Sequence, residues 1–181
     1  MSRFIYVLAF VFIVSVPLSA QAQKIVVVDL DRAISQSKAG KDMSSQLESQ
    51  SKVVQDKVDK IQKNLQSEAK KLEEQRSLMA PDALRIKGEE LRLKQVSKQQ
   101  EISTEARGIQ AGGQEALQKI AAVAVEELKA LAEDKKADIV LRREMALIVA
   151  PASDLTDELT ARIDKKITSV KVTPVVDSGK Q

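Results

Sequence analysis

The chain has no cysteine, no histidine and no tryptophan. Its few aromatic residues, Phe4, Tyr6, Phe10 and Phe12, all stand near the start. Beyond residue 22 there is therefore no thiolate or imidazole to bind a metal or act as nucleophile or base, and no ring on which a base or sugar could stack. Carboxylate-only metal sites and Ser or Lys nucleophiles are the chemistry that remains. The lack of cysteine suits an oxidising compartment without demanding one. Charge of one sign is also missing, since 29 basic residues, Arg3 among them, face 26 acidic ones. The two signs are interspersed, which makes a solvated helix surface and not a nucleic-acid groove, so no nucleic-acid partner is expected.

One long apolar run is present, Phe4 to Val16, behind Arg3 and ahead of Pro17. Ala20-Gln21-Ala22 then supplies small residues before a cut at Gln23. The run is shorter than the roughly 20 residues a membrane span needs, so residues 1–22 read as a cleaved export signal in preference to a retained anchor.

Prolines and glycines are few, and their absence marks two long helices. From Ile34 to Met79 there is no proline and a single glycine, Gly40. Leu47, Val54, Val58, Ile61, Leu65, Leu72 and Met79 fall at coiled-coil spacings, with polar Ser44, Ser51, Glu68 and Gln75 interrupting the seam. A narrow, moderately stable stripe facing one partner helix follows. Pro81 in "MAPDA" stops that helix and Asp82 suits the start of the next. The second arm runs to about Asp134 with Leu84, Leu91, Ile102, Ala106, Ile109, Leu117, Ile120, Ala124, Leu128 and Leu131 as its stripe. Two long helices joined by a proline turn predict an antiparallel hairpin. Gly108, Gly112 and Gly113 interrupt the second arm, either as sites of close packing on the first or as a pivot that lets the hairpin splay.

The period changes after Asp138. Ile139 to Ala150 predicts a β-hairpin around the polar Arg142 to Glu144, with Ile139–Leu141 and Leu147–Val149 as its strands. Ser153, Asp154 or Thr156 caps a final helix carrying Leu155, Leu159, Ile163 and Ile167. Ile25–Val28 reads as a strand whose partner must lie in one of those two distant segments. Three short strands and one helix have little surface to bury the valines, so assembly through the sheet is expected.

Asp29 and Asp31 close the first strand and could be a phosphohydrolase nucleophile and its acid/base partner, as in haloacid-dehalogenase-type enzymes. That chemistry needs a parallel sheet of alternating strands and helices around the strand. A long polar helix follows instead, with Arg32 and Ala33 after the second aspartate and no later strand ending in an aspartate pair. No catalytic residue, cofactor or metal is expected, and the aspartates read as a strand exit.

"KIVVVDLDRAISQSKAGK", a long polar helical hairpin and "ADIVLRREMALIVAPASDLTDELTARI" together resemble the Skp (OmpH) family of periplasmic chaperones over Lys24 to about Ile167. The resemblance implies an α+β, mostly α fold: a small β body with a long coiled-coil-like hairpin, assembled as a homotrimer whose hairpins enclose a cavity. Its domains would be a signal over 1–22, a β-rich trimerisation body over 23–33 and 138–170, a tentacle over 34–137 and a disordered tail over 171–181. It implies an ATP-independent holdase that keeps unfolded outer-membrane β-barrel proteins soluble. An exported coiled-coil scaffold holding one folded envelope partner is the alternative. Ile25, Val27, Ile139, Leu141, Leu147 and Val149 would form the oligomeric body. Ala137 and Val149 stand where the family often has an aromatic residue, which bears on the packing of that body. Around the tip, Lys70, Lys71, Arg76, Arg85, Lys87, Arg92 and Lys94 outnumber the acids and suggest contact with acidic clients, anionic lipid or lipopolysaccharide.

Overall fold

A computed structural model describes residues 23–175, so the export signal expected over 1–22 lies outside the described residues. Strand β1 (Ile25–Val28) leads into a short helix α1 (Leu30–Gln36), then α2 (Lys38–Glu74), α3 (Pro81–Asp134), strand β2 (Ile139–Arg142) and α4 (Thr156–Lys166). The two strands pair in parallel, Ile25 opposite Ile139 through Val28 opposite Arg142. The crossover that a parallel pair requires is here the entire α2–α3 hairpin. At about 1.5 Å per residue, the 54-residue α3 reaches about 80 Å.

The expected single first helix is broken at Ser37, whose backbone is extended at ψ 158°. Its Oγ accepts from the Gly40 N–H at 3.0 Å and donates to the Ile34 carbonyl at 2.7 Å. A Cβ at Gly40 would lie 2.0 Å from the Ile34 carbonyl oxygen, so only glycine lets α2 start so close to the end of α1. Asp29 caps α1, accepting from the Arg32 N–H at 2.8 Å, while Asp31 is exposed in the first turn, which favours the helix dipole.

Val26 and Val28 face a base built from α1, the C-terminal part of α3, α4 and the segment after it. Ile120, Ala124, Leu131, Leu159 and Ile163 are fully enclosed there. Within α3 the buried stripe runs Ile109, Ala116, Ile120, Ala124, Leu131. Leu117 and Ala106, expected on that stripe, are exposed; Leu117 sits beside Ala116, which faces the base, and Ala106 lies in the shaft beyond it.

Two sequence expectations are corrected. The β-hairpin does not form: Arg143–Met145 make a 3₁₀ turn and Leu147–Val149 are not a strand. Leu147 and Ile148 stand in solvent at 102% and 92% relative exposure, so within one chain a further strand would have no surface to cover. Nor is the tail unstructured from Lys171. Val170 and Val172 are buried, and Lys171–Val175 lies across the root of the hairpin. Residues 176–181 are outside the described residues.

Candidate functional site

Seven predicted seam residues, Leu47, Val54, Val58, Ile61, Leu65 and Leu72 on α2 and Met79 in the turn after it, are all half-buried, as a stripe touching a single neighbouring helix must be. None is enclosed. Among the described residues, no side chain from Lys41 to Arg107 is buried. The seam is also unfilled: Val58, Ile61, Leu65, Leu91 and Ile102 line an open groove of about 420 Å³. Val53, Ile86, Leu93 and Val96 stand more than half exposed outside it. The arms therefore offer dispersed apolar surface along an open groove.

Ion pairs also cross between the arms. Lys57 on α2 bridges Glu101 at 2.8 Å and Glu105 at 2.7 Å on α3, and Lys98 also reaches Glu101 at 2.7 Å. Hydrogen bonds from Lys57 and then Lys98 hold the Glu101 carboxyl at about 2, well below its usual range. Lys94 pairs with Glu68 across the seam.

The same local pairing governs the tip. Arg76 meets Glu73 at 3.2 Å, Lys87 meets Glu90 at 3.1 Å, Arg92 meets Glu89 at 2.7 Å, and Lys70 reaches Glu74 at 3.9 Å. Lys71 and Arg85 have no ion-pair partner among the described residues. The expected basic tip is thus a mixed-charge surface with two spare cations.

At the base, β1 is covered on both edges. β2 pairs with one, and on the other the Leu155 N–H donates to the Val27 carbonyl at 2.9 Å while Asp154 bridges Val27. Asp154 accepts from the Thr156 N–H at 3.0 Å and from its hydroxyl, starting α4. Burial pushes the Asp154 carboxyl up, but those two bonds and the Arg32 and Arg143 charges outweigh it and hold it below its ordinary value. Strand β2 keeps one edge open. Beside it stand exposed Ile139, Met145, Leu147 and Ile148, with Leu141 and Val149 half-buried. Val27 lies inside the subunit, and Ile25 is exposed at the strand's start.

The three glycines do not act alike. Leu47 of the first arm packs 3.0 Å from where a Gly113 Cβ would stand, a close approach of the two arms. Gly108 and Gly112 instead make room for the backbone of Thr173 to Val175. That contact has no signal in the local sequence, because its partner lies more than sixty positions away.

Asp29 is a helix cap, and among the described residues no group of three or more acidic side chains gathers as metal ligands would. The family model for outer membrane protein (OmpH-like) matches residues 24–163. The chain belongs to the OmpH-like family. The OmpH-like fold also recurs in a crystal structure from Caulobacter crescentus CB15, described as that of a candidate outer membrane chaperone (OmpH-like). The two share 23% identity with a TM-score of 0.78, over 83% of this chain and 89% of that one. No curated protein matches the chain.

Proposed function

We propose that the chain is an ATP-independent periplasmic holdase, exported by a signal cleaved near Ala22, which assembles as a homotrimer and keeps unfolded outer-membrane β-barrel proteins soluble between its arms. The observation that carries this reading is the shaft from Lys41 to Arg107: half-buried Val, Leu and Ile along an open seam, with nothing enclosed. Such a surface cannot select one folded ligand by a tight pocket. It can hold an extended chain by many weak contacts, whose joint occupancy gives retention without a single strong site. Membership of the OmpH-like family supports the client class.

Assembly is supported by the open edge of β2 and the solvent-exposed apolar residues next to it. An uncovered edge and an apolar patch of that kind invite pairing with further copies. The segment Ala146–Val149 then completes a sheet that one chain alone does not form. Lys71 and Arg85 are the tip residues available to an anionic lipid headgroup or lipopolysaccharide.

The test is dilution of a urea-unfolded outer-membrane β-barrel into the processed protein. Suppressed aggregation of several unrelated barrels is expected. A protein that ignores them all but holds one folded envelope partner would be a scaffold instead.

A further inference from the structure

A pair of glutamines on α2 reads the backbone of the C-terminal segment. Gln46 donates from Nε2 to the Val170 carbonyl at 3.0 Å and accepts at Oε1 from the Val172 N–H at 2.9 Å. Asp42 steadies that amide, accepting from the same Nε2 at 2.7 Å. The carbonyl of one residue and the N–H two further on are what an extended chain offers a neighbouring strand. Gln50, one helical turn along, repeats the first half of the pattern, donating from Nε2 to the Val172 carbonyl at 3.0 Å. The second half would need an N–H at position 174. That residue is Pro174, which has none, and Gln50 Oε1 is buried without a partner. The amide cannot simply be turned over, because Oε1 would then face the Val172 carbonyl oxygen.

Helix α3 holds the other side of the segment. The Val175 N–H donates to the Gly108 carbonyl at 2.9 Å. A Cβ at Gly112 would stand 2.2 Å from the Thr173 carbonyl oxygen, and one at Gly108 2.6 Å from that of Val175. Val170 and Val172 point into the base. Almost every polar contact is therefore to backbone, and the segment spans both arms just where burial stops.

We propose that Val170–Val175 is a releasable latch across the root of the hairpin, held by the Gln46–Gln50 ladder and the Gly108–Gly112 face, and kept submaximal by Pro174. Docked, it ties α2 to α3 at the level of Gln50 and Gly108, so the free arms begin there. Released, they begin nearer the body, and the space between them can widen. The latch concerns the protein alone and stands or falls independently of the client reading.

Amide hydrogen exchange on the full processed chain tests it. Pro174→Ala supplies the missing donor, so the Val172 and Val175 amides are expected to exchange about fivefold more slowly, the worth of one net hydrogen bond. The ordinary effect of replacing proline is the reverse, because the unfolded chain gains freedom. Gln46→Ala with Gln50→Ala should speed both amides by about tenfold or more. Gly112→Ala should do the same although alanine favours the helix itself. Unchanged or faster exchange in Pro174→Ala overturns the role given to the proline. Unchanged tail protection in the glutamine double variant, or in Gly112→Ala, overturns the latch.

Discussion

Between Ala116 and Leu131, helix α3 turns Ile120, Ala124 and Leu131 wholly into the base, whereas between Pro81 and Arg107 the same helix buries nothing. One continuous helix thus belongs to two kinds of structure. In the base it meets α1, α4, β1 and the latch, and its apolar stripe is covered from several sides. In the arms it meets α2 alone, and a two-helix contact leaves each seam residue half open to water. Stability is concentrated at one end so that the other can remain adaptable.

Ways to break that contrast can be ranked by expected size. Ile120→Ala, at a fully enclosed site, should cost about 2–5 kcal/mol, while Val58→Ala in the half-open seam should cost about 1 kcal/mol or less. Urea unfolding followed by helical circular dichroism reads both, and equal costs would abolish the distinction. Leu147→Asp with Ile148→Asp touches nothing in the single chain. If those residues lie between subunits, each loses about 1.5–3 kcal/mol of burial on assembly, and the native mass should fall while the helical signal persists. Gly40→Ala drives a Cβ against the Ile34 carbonyl and should cost about 1–3 kcal/mol, seen as a lower urea midpoint.

Acid should sharpen the contrast by loosening only the arms. Glu101 is held at about 2 against an ordinary 4.5, so its contribution is fully present above 4.5 and lost as pH falls towards 2. Lys57 is raised, so its share is present below 10.5 and lost only at higher pH. With no histidine in the chain, the distance between spin labels at Gln62 and Gln95 should be flat from about pH 5 to 9 and broaden in acid. The smallest effect is at Lys136, which ends α3 with φ at 51°. Lys136→Gly should raise stability by about 1 kcal/mol or less, as a small upward shift in melting temperature.

The arms were largely legible in the sequence because their physics is local. Heptad spacing from Leu47 to Met79 and the Pro81 stop report on one neighbouring helix, and that is all the arms contain. That Ile25–Val28 pairs with a distant segment was legible by elimination, for want of a nearer partner, but the choice of Ile139–Leu141 over Leu147–Val149 came only from the structure. What was lost depends on distant groups. The Ser37 break was missed because the stretch reads as one continuous helix and the close approach of Gly40 to the Ile34 carbonyl leaves no periodic signal. Leu147 to Val149 announced burial, and a hairpin was the burial available within one chain, but the structure leaves those residues open. The latch was illegible because Gln46, Gln50 and two glycines grip backbone, which carries no side-chain pattern.

Native mass of the processed protein, alone and after addition of an unfolded outer-membrane β-barrel, tests the central claim most directly. The account predicts about three times the mass of one chain, and a complex in which such an assembly holds the barrel without precipitation. A stable monomer that neither assembles nor retains the client would contradict it.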